Sequence, residues 1–195
     1  GLELGALDID FQKAPKTKPV ILWNHRWEFD KNPEEFFDGL FYLQKKQIDF
    51  ELIVLGESKS SIPPIFDKAK KQLAAEILHW GFALDKHTYA QMLWAADIVP
   101  ITSIQEFFGI SLIEAMYCKT YPLVPNRLVY PEHLPEIDFQ YSGDLGPILE
   151  QLIISGKWKN NLELVRERAA IRSWPEMISV YDELIPCAKR KIFKR

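Results

Sequence analysis

The chain has 195 residues, of which 47% are hydrophobic and 26% charged, and its formal net charge is -3. These are the values of an ordinary folded domain with enough residues for its own core; they exclude a disordered chain and a general affinity for polyanions, so any nucleic-acid contact has to be local. No stretch reads as a membrane span.

Cys118 and Cys187 lie far apart and show no metal-ligand spacing, the pattern of reduced thiols in a cytoplasmic protein. The chain opens on Gly1 rather than Met, as a piece of a longer protein would.

Residues 1–18 are punctuated by Gly1, Gly5 and Pro15 and carry Lys13, Lys16 and Lys18, the composition of a solvated inter-domain linker. Asp8-Ile9-Asp10 has the form of a two-carboxylate metal-nucleotide triplet, but in a terminal linker chance accounts for it better. Pro19 to Trp23 is an apolar run fit for a buried strand. Asn32-Pro33-Glu34-Glu35 then starts a helix to residue 46, with Asn as N-cap, Pro in the first position and Glu closing a capping box. The turn between them holds Arg26 and Lys31, two cations at a strand's C-terminal end, where open parallel sheets bind ligands. Two solvated surface charges are the plain alternative.

Phe50 to Leu55 is a further strand, followed by a helix from Ile65 to Ala75 and a strand from Ile77 to Trp80. The loop Phe82 to Asp85 leads to a helix over 86–96 and a strand over 97–102. Tyr121 to Pro125 reads as another strand and Asn126 to Glu136 as a Pro-rich loop. Asp144 caps a helix to Ile154, and an amphipathic helix follows near 159–171. Trp174-Pro175-Glu176 opens a last helix, ahead of the basic run Lys189 to Arg195, which is either a solvated terminus or a contact for nucleic-acid phosphates. Strands and helices alternate over 19–172, which predicts an α/β domain: a Rossmann-like parallel sheet flanked by helices on both faces, with 173–195 as a C-terminal helix and tail.

The chemistry concentrates at Gln105 to Met116. Gly109 opens a helix in which Leu112, Ile113, Ala115, Met116 and Tyr117 surround Glu114, and a buried carboxylate needs a partner. Glu106 stands just before the same N-terminus, where backbone N–H groups and the helix dipole favour phosphate or sugar oxygens. At about 1.5 Å rise per residue, Glu114 lies roughly 7 Å along the axis from the opening turn. That span suits a molecule with a sugar at one end, a ribose at the other and phosphates between. The plain alternatives are a core ion pair for Glu114 and a helix cap for Glu106.

Glu106-x-Phe108-Gly109-x-x-x-x-Glu114 resembles the paired-Glu signature of the family 4 retaining glycosyltransferases, and Arg26 to Lys31 sits where that family has its Arg and Lys segment. The resemblance covers residues 19–185 and implies the C-terminal, donor-binding half of a two-Rossmann-half (GT-B) enzyme. Within the family, Trp23 to Pro33, His79-Trp80-Gly81, Glu106 to Gly109 and Leu128 to Glu132 are most similar to the tRNA-queuosine α-mannosyltransferases. His25 replaces a usual Gly, and Lys119 a usual helix-ending Gly.

The resemblance implies roles. Arg26 and Lys31 hold the donor diphosphate and neutralise it as it leaves, and Glu106 grips donor-sugar hydroxyls with the backbone of Phe108, Gly109 and Ile110. Glu114 takes the ribose hydroxyls, and Ala83 and Asp85 lie where the base is read. The donor is GDP-mannose, no metal or other cofactor is required, and the acceptor tRNA is bound mainly by an N-terminal half. This chain alone is expected to bind donor without turnover. The same half of a glycan or lipid-linked-sugar glycosyltransferase using a GDP- or UDP-sugar is the alternative enzyme, and a non-catalytic nucleotide- or protein-binding module is the alternative from another class. Trp23, Trp27, Phe29 and Trp80 are core residues or stack an acceptor base, and His25 is either structural or a phosphate contact.

Overall fold

The computed structural model of the chain describes residues 1–14, 16–57, 62–178 and 181–182. Its centre is a parallel sheet of six strands, β1 (Val20–Trp23), β2 (Glu51–Leu55), β3 (Ile77–Gly81), β4 (Ile98–Pro100), β5 (Tyr121–Pro125) and β6 (Gln140–Tyr141), ordered β3-β2-β1-β4-β5-β6. The connecting helices are α1 (Pro33–Lys45), α2 (Ile65–Gln72), α3 (Lys86–Ala95), α4 (Ile110–Tyr117), α5 (Tyr130–His133), α6 (Leu145–Ser155) and α7 (Leu162–Ala170). Helices α1, α2 and α6 pack together, as do α3, α4 and α7, so the sheet is covered on both faces as expected. This explains why β1, β4 and β5 are apolar runs without alternation: every residue in them is buried.

The strand order reverses between β1 and β4, which places a crevice outside their C-terminal ends. An aromatic cluster supports the β1 side of it. Trp23, Phe36, Phe37 and Phe66 interlock edge-on and stacked at centroid distances of 5.0 to 6.2 Å, and Trp27 stacks on Phe66 at 4.5 Å. Trp23 and Trp27 are buried and the half-buried Trp80 edges onto Trp27, so these rings are core and leave Phe29 as the exposed one.

Several local expectations change. The helix start at Asn32 is not a capping box: Asn32 adopts a left-handed conformation at φ 53°, makes no side-chain cap, and donates its amide to Glu35 Oε2 at 2.6 Å instead. Residues 126–136 contain the short helix α5, and β6 was not foreseen because its pairing residues, Gln140 and Tyr141, form too short a run to show periodicity. The N-terminal segment is not a solvated linker. Leu4 and Leu7 are buried, and Lys13 and Lys16 reach Asp97 at 2.8 and 3.2 Å. Asp8 takes Arg166 at 2.7 Å and the Tyr117 hydroxyl at 2.8 Å, which gives the Asp8-Ile9-Asp10 triplet an ordinary ion-pair use.

Leu2 forms a parallel bridge with Ser173, and residues 174–178 are helical. Cys118 is buried as a free thiol, and burial pushes its pKa up to about 12. Cys187 and the basic run 189–195 lie outside the described residues. Among the described residues no helix is long and apolar enough to cross a membrane.

Candidate functional site

The two chain segments that leave β1 and β4 are sewn together at the crevice. The Thr102 hydroxyl donates to the Lys31 carbonyl at 2.8 Å, Ile104 N–H to the Asp30 carbonyl at 2.9 Å, and Lys31 Nζ to the Gln105 carbonyl at 3.1 Å. A third segment closes in at Gly56, after β2. A Cβ there would lie 2.4 Å from the His25 carbonyl oxygen, and its φ of +108° is open to glycine alone at no cost.

Lys31 is buried between two carboxylates, 3.1 Å from Asp30 Oδ2 and 3.2 Å from Glu106 Oε2. Arg26 is exposed and pairs with Glu28 at 3.0 Å. Glu106 also accepts the N–H groups of Phe107 and Phe108 on Oε1, at 3.0 and 3.3 Å. Burial works to raise its pKa, but the N–H groups of Gly109 and Phe108 and the Lys31 ammonium outweigh it and hold the carboxyl below its ordinary range. Glu114 has the opposite balance. Burial raises its pKa, offset only in part by the Tyr89 hydroxyl, which donates to Oε2 at 2.7 Å.

These groups surround a groove of two adjoining cavities. One, of about 600 Å³, runs along Leu55, Phe82, Ala83, Leu84 and Asp85. The other, of about 440 Å³, lies against Lys31, Glu106, Phe108, Ile110 and Glu114. Asn24, His25, Arg26 and Tyr89 border both.

Of the residues singled out from the sequence, Arg26, Lys31, Ala83, Asp85, Glu106, Phe108, Ile110 and Glu114 thus line one groove. Gly109 does not: it is buried behind the loop, where its φ of +79° turns the chain into α4. Asp85 spends one oxygen on capping α3, accepting Thr88 N–H at 2.7 Å, and that bond lowers its pKa. Glu114 has no ion pair with Arg or Lys among the described residues, contrary to the plain alternative for a half-buried Glu.

Sequence reading missed Tyr89 and Asn24. Tyr89 falls four residues after the cap Asp85, the spacing that puts both on one helix face, and this signal was available. Asn24, whose amide donates to the Ser111 carbonyl at 2.7 Å, had no such signal. His25 is buried, with Nδ1 2.9 Å from the Ser111 hydroxyl and Nε2 without a hydrogen-bond partner among the described residues; burial, then the Lys31 charge, lowers its pKa to about 4. Among the described residues no group of three or more His, Cys, Asp or Glu side chains is placed to hold a metal ion.

Residues 7–136 match the family described as glycosyl transferases group 1. The chain belongs to that family. Its relatives include the tRNA-queuosine alpha-mannosyltransferase of Drosophila melanogaster, 40% identical over 116 residues, which is 60% of this chain and 30% of the relative. A GDP-mannose-dependent alpha-(1-6)-phosphatidylinositol dimannoside mannosyltransferase of Mycobacterium tuberculosis is 25% identical over 165 residues, covering 83% of this chain and 42% of the relative. The matched stretches thus cover less than half of either relative. Among solved structures, the C-terminal domain of a glycosyl transferase group 1 family protein, LpcC, from Francisella tularensis superposes with a TM-score of 0.70 at 18% identity, over 88% of this chain and 98% of that one. The family reading from the Glu106 to Glu114 spacing and the two-faced α/β fold are both borne out.

Proposed function

We propose that the chain is the donor-binding half of a retaining hexosyltransferase that moves mannose from GDP-mannose to queuosine in tRNA. The observation that carries this reading is the placement of Glu106 and Glu114 at two points of one groove, with Lys31 and Arg26 beside it, outside the ends of β1 and β4. The larger cavity, bordered by Ala83 and Asp85, takes the base, Glu114 the ribose hydroxyls, and Lys31 with Arg26 the diphosphate. Glu106 takes the sugar. As the nucleotide leaves, charge grows on its terminal phosphate, and a cation already fixed by Asp30, Gln105 and Glu106 stabilises it without having to reorganise.

The 40% identity to a tRNA-queuosine mannosyltransferase supports mannose as the sugar and tRNA as the acceptor, and a cytoplasmic setting belongs to the same proposal. No protein metal is invoked for any step. The chain alone binds donor without transfer, because acceptor contacts come from a half it does not contain. The mycobacterial relative keeps a lipid-linked acceptor as a second reading with the same donor.

Calorimetric titration with GDP, UDP, ADP and GDP-mannose tests the donor assignment. Selective GDP binding, weakened by about 1 to 3 kcal/mol in Glu114→Ala, is expected for loss of a charged hydrogen-bond partner. A preference for UDP would discard the GDP-mannose assignment, and turnover of queuosine-containing tRNA by this chain alone would refute the half-enzyme claim.

A further inference from the structure

Tyr89 stands where the two cavities meet and borders both. Its hydroxyl donates to Glu114 Oε2 at 2.7 Å, and among the described residues no other hydrogen bond reaches that carboxylate, so Oε1 awaits a donor. Asn24 flanks the same hydroxyl from the end of β1, and its side-chain oxygen is buried and takes no hydrogen bond from the described residues. Three polar side chains, one just after β1 and the others from α3 and α4, therefore converge on one point of the groove. Two of their acceptor atoms are unused.

Building on the donor-site reading above, we infer that Tyr89 is a positioning residue for ribose recognition: it pins the Glu114 carboxylate by one oxygen, presents the other to the neighbouring 2′- and 3′-hydroxyls, and sets a preference for ribonucleotides over 2′-deoxyribonucleotides. A Glu side chain on a helix otherwise samples several rotamers, and only some present an oxygen to the groove. Tyr89 is suited to the task because burial, and then the Glu114 charge, hold its phenol protonated, so it stays a donor. Phenylalanine would fill the same space without fixing the carboxylate.

The experiment is calorimetric titration of the 195-residue chain and Tyr89→Phe with GDP and 2′-deoxy-GDP, the uridine and adenosine pairs alongside, with melting curves as the folding check. Wild type is expected to prefer the ribonucleotide, and Tyr89→Phe to lose roughly three- to tenfold in affinity for it while 2′-deoxy-GDP, which keeps only the 3′-hydroxyl, loses less, so the preference shrinks. Equal weakening of both nucleotides, or an unchanged preference, overturns the inference while leaving the donor site standing. No binding of any nucleoside diphosphate by wild type overturns the donor-site reading and this inference with it. If Tyr89→Phe does not fold, Tyr89→3-fluorotyrosine keeps the shape and changes only the hydroxyl's strength as a donor; an unaltered ribose preference there overturns the inference equally.

Discussion

At the residue scale, the groove sets Glu106 and Glu114 to opposite purposes through their surroundings. Glu106 is held ionised by Gly109 and Phe108 N–H groups and Lys31, whereas Glu114 is short of such partners and its pKa is raised from 4.5 by burial. The ionised form of Glu114 is the stronger acceptor for sugar hydroxyls, so nucleotide affinity is expected to fall as pH drops, starting above the ordinary glutamate range. Calorimetry from pH 7.5 downward checks this, and Glu114→Gln should flatten the dependence. His25 titrates in the other sense. Below pH 6.5 the unfolded chain takes up a proton that folded His25 refuses until about pH 4, so stability is lost across that window. The shift corresponds to about 3 kcal/mol, and urea unfolding of His25→Gln at pH 7 and 4.5 should show a smaller loss on acidification than wild type. The sequence made both carboxylates visible through their spacing across a glycine-led helix start. It hid the state of Lys31, because nothing in a linear string says that Asp30 and Glu106 close on the same ammonium.

At the scale of elements, two glycines mark where one segment's backbone lies close against another segment. Gly56→Ala forces a Cβ onto the His25 carbonyl at a positive φ, and a loss of about 2 kcal/mol or more is expected. Because the displaced strand end carries Arg26 and Lys31, nucleotide affinity should fall with it. Gly146→Ala sets a Cβ 2.7 Å from the Tyr42 ring where α6 crosses α1; overpacking of roughly 1 to 3 kcal/mol should lower the melting temperature without touching the groove. Most elements were legible: α1, β2, β3, α3 and β5 lie within a residue or two of the boundaries read from apolar runs and caps, since those signals are local. Two-residue β6 and four-residue α5 were not, because their pairing partner and their packing are distant in sequence.

At the scale of the whole molecule, the N-terminal segment is part of the fold. Asp97 is buried just before β4 and receives Val20 N–H at 2.8 Å as well as Lys13 and Lys16. Replacing both lysines by methionine leaves that carboxylate with one donor. A loss of up to about 3 kcal/mol is expected, at the low end for a broken buried pair because the lysines are a quarter exposed; chemical denaturation checks it. The lysine-rich composition of residues 1–18 reads as a solvated spacer because a buried acid some eighty positions away leaves no local trace.

The Leu2 to Ser173 bridge has a mechanical consequence. Leu2 N–H donates to the Arg172 carbonyl at 2.9 Å, and Trp174 N–H to the Leu2 carbonyl at 3.0 Å. Tension entering at residue 1 and leaving after residue 174 therefore meets one short bridge before it meets the sheet. In an optical trap that bridge should rupture first, then the Asp8 contacts with Arg166 and Tyr117 and the Lys13 and Lys16 tethers, releasing about 60 Å of chain at roughly 3.3 to 3.6 Å per residue while β1 and the groove stay intact.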